Sequence, residues 1–366
     1  MIEKPIFYLK RFDWALFGSI LILLALGLVA LYSIGFGDGR EGLFLKQVIF
    51  CFIGFAVFLV FSLTNYAYLR SLSKFFYFAA LLLLIAVLAV GTVFHGTKGW
   101  FNFGPINFQP VEFVKLALII FLAKFFSERM HLKKDFRLIA QSFILVFACA
   151  VLIFFQPDLG SSLVLFSFWF LLLFFSSGVK WKHLFVFIIS FFLVAIGSWF
   201  FVLAPYQKER ILTFINPSLD PWGQGYNVFQ SIIAIGSGQI FGKGLGFGAQ
   251  SQLRFLPSAH TDFIFAVIAE ELGFVIILAM FLALGLFFYR GFKILKKTED
   301  SFSEMLVLGI LTLIFIEVSV NIAVNLGLAP VIGITLPFLS YGGSSLVIHL
   351  AMVGILESIA LRQTKA

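Results

Sequence analysis

The chain has 366 residues, of which 61% are hydrophobic and only 12% charged, with a mean hydropathy of +1.05. Soluble domains carry about 25% charged residues, so an ordinary water-soluble enzyme is excluded. The formal charge of +8 would suit nucleic acid only if the basic side chains shared one face; they are instead spread through short connecting segments, which excludes that class too.

A helix needs about 20 apolar residues to cross the hydrocarbon core of a bilayer. Runs of this kind predict about ten spans, near 14–34, 45–63, 75–94, 109–126, 138–155, 159–176, 184–203, 263–289, 304–327 and 340–361. The expected fold is an all-α integral membrane protein forming one polytopic domain over 1–366. Its N-terminal stretch MIEKPIFYLKRFDW is basic and runs into the first span without a small-residue cleavage site, which reads as a retained anchor. Cys51 and Cys149 lie inside apolar runs and suggest neither a disulfide framework nor a metal knuckle. Basic residues such as Lys10, Arg11, Arg70, Lys133, Lys134, Lys180, Lys182, Lys296 and Lys297 collect in the connections of one side, so the positive-inside rule places both termini in the cytoplasm. The long segment 204–262, between the seventh and eighth spans, then lies on the outer face. Loops of that length in a compact protein are usually functional.

The fourth span opens NFQPVEFVKLALIIF, with Pro110 suited to a first helical turn. Glu112 and Lys115, three residues apart, are neighbours on one helix face. They read either as an internal ion pair holding helices in register or as the wall of a polar cavity near the outer surface. FFQPDLGSS places Asp158 in a short outer turn, where a lone aspartate ordinarily caps a helix. The outer loop combines Lys208 and Arg210 with Asn216, Asp220, Gln224, Asn227 and Gln230, and then carries Lys243 in a glycine-rich tract. Basic side chains beside small residues suit a phosphate or pyrophosphate; the alternative is a surface loop meeting lipid headgroups. The glycine spacing fits neither a P-loop nor a dinucleotide fingerprint.

FLPSAHTDFIFAVIAEELGF closes the loop. It sets His260 and Asp262 at the start of the eighth helix, with Ser258 or Thr261 to cap it. On a straight helix Glu270 lies about 12 Å deeper than Asp262. A carboxylate facing lipid costs roughly 2.5–3.5 kcal/mol on insertion scales, so at least one of Glu270 and Glu271 is expected to face the bundle interior, toward Asn321 or Asn325. Glu317, Asn321 and Asn325 form a stripe on the ninth span that reads as interhelical glue or a wet groove. His349 and Glu357 in the last span read as packing or partner contacts. PVIGITLPFLSYGGSS breaks the helix between these spans, and such backbone is tolerated at membrane depth only where it is buried or lines a cavity.

Taken in order, FQPVEFVKLAL, FFQPDLGSS, RILTFINPSLDPWGQGYNVFQSIIAIGSG, FLPSAHTDFIFAVIAEELGF and PVIGITLPFLSYGGSS resemble the SEDS family (shape, elongation, division and sporulation), the polytopic bacterial peptidoglycan glycosyltransferases. The resemblance covers nearly the whole chain. The tract FGKGLGFGAQSQLRFLPSAHTDFIF resembles the rod-elongation (RodA) branch more than the division (FtsW) branch. Val111 departs from the usual Ser of the family and Thr335 from the usual Pro.

The resemblance implies polymerisation of lipid II: the growing lipid-linked glycan is transferred to a sugar hydroxyl of lipid II at the outer face of the bacterial cytoplasmic (inner) membrane. It implies Asp262 as the catalytic carboxylate, acting as general base, orienting group or metal ligand, and Glu112, Lys115 and Arg210 as further functional positions. Asp158, His260 and Lys243 join them as substrate-binding candidates. It allows a divalent cation, Mg²⁺ or Mn²⁺, at the pyrophosphate. It also implies a class B penicillin-binding protein as transpeptidase partner, with elongation-complex proteins such as MreC, MreD and RodZ. The competing expectation is a lipid II flippase, but transporters tend toward internal repeats and midplane sites, whereas here no clear repeat is visible and the polar groups lean outward.

Overall fold

Each apolar run bounded by charged residues or by Gly and Pro becomes a helix. In the computed structural model, the structure describes residues 11–36, 41–94, 96–104, 106–129, 136–175 and 224–363, with isolated positions between 185 and 214. In chain order the described helices are α1 (Trp14–Phe36), α2 (Glu41–Leu63), α3 (Ala67–Val90), α4 (Pro110–Ser127), α5 (Phe136–Phe154), α6 (Leu159–Phe175), α7 (Gln224–Ser237), α8 (Ala249–Gln252), α9 (Ile264–Lys296), α10 (Ser301–Asn325) and α11 (Gly343–Arg362). Seven of them, α1, α2, α3, α5, α9, α10 and α11, are long and apolar enough to cross a membrane. α6 is shorter, at 17 residues, and α4 carries Glu112, Lys115 and Lys124. The span expected near 184–203 and most of 204–223, Arg210 included, lie outside the described residues.

Burial ranks the helices from centre to rim. The apolar stretches of α10 and α11 are 72% buried, against 22% for α2 and 28% for α3, so α10 and α11 form the centre and α2 and α3 present broad faces to lipid. α4 is enclosed along nearly its whole length, packed between α3 and α10. α2 lies along α11, and small residues permit the approach: a Cβ on Gly354 would meet the Phe58 carbonyl at 2.6 Å.

An element outside the all-helical expectation follows α3. Strands β1 (Thr92–Phe94), β2 (Thr97–Phe103) and β3 (Ile106–Phe108) form a small antiparallel sheet in the order β1-β2-β3. Gly96 (φ +83°) and Gly104 (φ +79°) supply the left-handed backbone that its turns require. The third predicted span, 75–94, is accordingly displaced: α3 begins at Ala67 and stops at Val90, and the residues read as its end are β1.

The second difference is a break in α9. Gly273 has φ +76° and ψ −177°, a conformation essentially confined to glycine. The rings of Phe265 and Phe281, one on either side of the break, lie 6.5 Å apart, whereas sixteen residues of straight helix would separate them by about 24 Å. The chain therefore folds sharply at Gly273, and the first segment of α9 lies against the ends of α1 and α10, where Phe263, Ala266 and Val267 pack with Ile34 and Val324. The depth of about 12 Å expected for Glu270 assumed that all of α9 runs inward in one direction; the segment carrying Glu270 folds back on the rest at Gly273, so that depth does not hold.

Backbone groups freed by the break are taken up by the glycine-rich loop. Lys243 N and Gly244 N donate to the carbonyls of Glu270 and Glu271 at 3.0 and 2.9 Å, while Phe274 N and Val275 N donate to the carbonyls of Gln239 and Ile240 at 2.9 and 3.1 Å.

Candidate active site

Asp262 sits two residues before α9, partly exposed, and its backbone is held from three directions. Its carbonyl accepts from Asn325 Nδ2 at 2.8 Å and from Asn321 Nδ2 at 2.9 Å. The preceding carbonyls, of Thr261 and His260, accept from Ser340 Oγ at 2.7 Å and from Tyr341 N at 2.8 Å. Asn321 Nδ2 also reaches the Ile334 carbonyl at 2.7 Å, which ties the tract 330–345 to the same point. Asp262 Oδ2 lies 4.0 Å from the position a Cβ would take on Gly333, so the carboxylate faces that tract. The His260 ring meets Tyr341 edge-on at 5.8 Å, and burial pushes the Tyr341 phenol up from its ordinary value.

Neither Ser258 nor Thr261 caps α9 with its side chain. The cap position is Phe263, which makes no side-chain cap bond. In the first turn, Ala266 N donates to Asn325 Oδ1 at 3.2 Å as well as to the Phe263 carbonyl at 3.1 Å. The polar stripe of α10 therefore serves as both cap and clamp for the Asp262 segment.

Glu270 and Glu271 are buried, as expected, but their partners are in the loop rather than on α10. Glu270 accepts from Gln250 N at 3.0 Å, Ser251 N at 3.1 Å and Lys243 Nζ at 3.3 Å. Glu271 accepts from Ser251 Oγ at 2.9 Å and Gln252 Nε2 at 3.0 Å. Lys243 thus pairs with Glu270. Glu270→Leu is expected to leave these donors without an acceptor and to destabilise the protein by about 2–4 kcal/mol, with Glu270→Gln much milder. Thermal unfolding of the purified variants measures this, and an unchanged midpoint for Glu270→Leu would remove the anchoring role.

Beneath Asn321, one turn along α10, Glu317 joins α4 to α11. Lys115 Nζ lies 2.8 Å from Glu112 Oε1 and 2.7 Å from Glu317 Oε1. Glu317 Oε2 lies 2.6 Å from His349 Nε2. The pair expected from the sequence is therefore part of a four-residue network, and His349, read as packing, belongs to it. The four-residue spacing of Glu317, Asn321 and Asn325 marked the right face of α10, but no spacing could reveal the partner on α11. Lys115 is committed to two carboxylates and almost fully buried, which favours the ion-pair reading over a free cation for pyrophosphate.

Asp158 caps α6: Oδ1 accepts from Ser161 N at 2.9 Å and Oδ2 from Ser161 Oγ at 2.7 Å. Its neighbour Gly160 packs directly on the Ile332 carbonyl, so the start of α6 abuts the tract that faces Asp262. Of the predicted site residues, the structure thus gathers Asp262, His260 and, one turn below, Glu112 and Lys115; Asp158 borders them and Lys243 belongs to the loop anchor.

The donor set bears on the allowed cation. Among the described residues, no group of three or more His, Cys, Asp or Glu side chains converges to hold a metal. Glu112, Glu317 and His349 are already engaged with Lys115 and one another. A cation shared between one carboxylate, such as Asp262, and the phosphate oxygens of a substrate needs no such cluster.

A family model described as "Cell cycle protein", covering FtsW, RodA and SpoVE, matches residues 13–365. The chain is 36% identical over 342 residues to the peptidoglycan glycosyltransferase MrdB of Escherichia coli K12, covering 93% of this chain and 92% of that one. It is 39% identical over 370 residues to the probable peptidoglycan glycosyltransferase FtsW of Haemophilus influenzae, covering 95% and 90%. Its fold is similar to a solved chain from work on structural coordination of polymerization and crosslinking by a peptidoglycan synthase complex, with a TM-score of 0.81 and 31% identity over 96% of this chain and 99% of that one. With the match running from the start of α1 to beyond the end of α11, the chain belongs to the FtsW/RodA/SpoVE family of cell cycle proteins.

Proposed function

We propose that this protein is a membrane-embedded peptidoglycan glycosyltransferase that polymerises lipid II at the outer face of the cytoplasmic membrane, with both termini inside. The observation that carries the reading is Asp262: a partly exposed carboxylate on a backbone clamped by Asn321, Asn325, Ser340 and Tyr341. Catalysis by a positioned base requires this combination of access and fixed placement.

In this reading Asp262 takes the proton of the acceptor sugar hydroxyl as that oxygen attacks the anomeric carbon of the lipid-linked glycan. The pyrophosphate leaves with the bonding electrons, and Arg210 offsets its charge by bidentate contact. Lys115, bound by two carboxylates, supports the site from below. A divalent cation at the pyrophosphate would share that charge neutralisation, with Asp262 as its protein ligand, and no step here is routed through it. The loop resemblance supports an elongation role, although relatives from both branches match the chain to a similar degree. Similarity to a chain of a peptidoglycan synthase complex supports a penicillin-binding transpeptidase partner, of class B in this proposal, with MreC, MreD and RodZ as further proposed elongation partners.

The test is glycan synthesis from labelled lipid II by the purified chain with its transpeptidase, with and without Mg²⁺ or Mn²⁺. Polymer formation is expected. Movement of lipid II between leaflets without polymer would replace this reading with the flippase. An absolute cation requirement would return Asp262 to the role of metal ligand.

A further inference from the structure

The network beneath Asp262 has a charge balance that the ring nitrogens of His349 help to fix. Side-chain exposure is 6% for Lys115, 7% for Glu112 and 1% for both Glu317 and His349. Two carboxylates and one ammonium in such a place leave a surplus negative charge, and an uncompensated buried charge is strongly unfavourable.

Both nitrogens of His349 face acceptors. Nδ1 lies 2.7 Å from the Ser345 carbonyl oxygen, which can only accept, so Nδ1 carries a proton. Nε2 lies 2.6 Å from Glu317 Oε2, while Lys115 Nζ donates to Oε1 of the same carboxylate at 2.7 Å. The ammonium favours the ionised form of Glu317, and imidazole is the stronger base of the two in water. The remaining neighbours of the ring are the Phe338 face at 5.7 Å and the Ser345 hydroxyl at 3.2 Å, itself 3.2 Å from Thr335 Oγ1.

We infer that His349 is a doubly protonated imidazolium that closes an electroneutral network with Glu317, Lys115 and Glu112, and that it acts as a positioning residue for Asp262. The route is short. His349 and Lys115 hold the two oxygens of Glu317, which fixes the rotation of α10; Asn321, one turn away on the same face, then meets the Asp262 carbonyl. The positioning role rests on the polymerase reading; the protonation state does not.

Two measurements test it on the full chain in detergent or nanodiscs. The first is ¹⁵N NMR of histidine-labelled protein, which has five histidines, with the His349 signals assigned by their loss in His349→Gln. Both ring nitrogens are expected to be protonated at neutral pH; an unprotonated Nε2 overturns the inference. The second is a double-mutant cycle in the polymerisation assay. His349→Gln leaves two carboxylates against one cation and is expected to lower turnover by about ten-fold or more, whereas His349→Gln with Glu317→Gln restores neutrality and is expected to recover to within about three-fold of wild type. Losses that multiply rather than cancel would indicate packing alone and overturn the charge-balance role. If wild type makes no polymer, the functional reading fails, and the NMR result still decides the protonation state.

Discussion

Asp262→Ala is expected to reduce glycan polymerisation by about 10²–10⁴-fold while leaving the unfolding midpoint and lipid II binding close to wild type. The separation follows from how the residue is held. Hydrogen bonds from Asn321 and Asn325 end on its backbone carbonyl, and others from Ser340 and Tyr341 end on the backbone of Thr261 and His260. Alanine keeps all of these acceptors. The opposite experiment is Asn321→Leu, which keeps the carboxylate but removes a donor shared between the Asp262 and Ile334 carbonyls. That variant should lose both stability and turnover, the stability by about 1–3 kcal/mol. Gel analysis of labelled polymer alongside thermal unfolding separates the two patterns. If Asp262→Ala polymerised normally, the catalytic role would be withdrawn; if it unfolded, the carboxylate would be structural.

Much of the scaffold could be read before any coordinates. α1, α2, α5, α6 and α10 announce themselves because a bilayer demands long apolar runs, and their boundaries fall within a few residues of those expected. The small sheet was hidden because Thr92–Phe94 continues the apolar run of α3, and strands of three residues, like it and Ile106–Phe108, are too short to show a period-two alternation. At the site, Pro110, Glu112 and Lys115 were legible from helical spacing, and so was the α10 stripe. The links to Glu317 and His349 were not: Lys115 reaches across 202 residues of sequence from α4 to α10, Glu317 meets His349 across the irregular tract 330–345, and periodicity reports a face without naming its partner. Glu270 and Glu271 show the same limit: their burial followed from the cost of an exposed carboxylate, but their true partners lie in a loop with no repeating pattern. Gly273 in EELGF reads as one tolerated glycine inside a helix, yet it turns the chain.

Gly273→Val should be among the most damaging single substitutions, costing about 3–5 kcal/mol. Valine is β-branched and cannot readily adopt φ +76° with ψ −177°, and any Cβ at this position would run into Gly242 N and Phe241 C of the loop. Relieving the clash means withdrawing the loop, and with it the four backbone hydrogen bonds that Gln239, Ile240, Lys243 and Gly244 make across the break. Withdrawal would also take Lys243, Gln250 and Ser251 from Glu270, leaving a buried carboxylate without its donors. The segment that carries Asp262 begins at this fold, so turnover should fall with stability even though Gly273 itself does no chemistry. Gly285→Ala is the control, because that glycine lies in the second half of α9 with nothing within 4 Å of its Cβ position, and alanine there should be neutral or slightly stabilising. Thermal unfolding, together with limited proteolysis across 239–252, tests the comparison. A wild-type midpoint and an uncut loop in Gly273→Val would mean that α9 can straighten without cost, and that the loop is held by something other than the break.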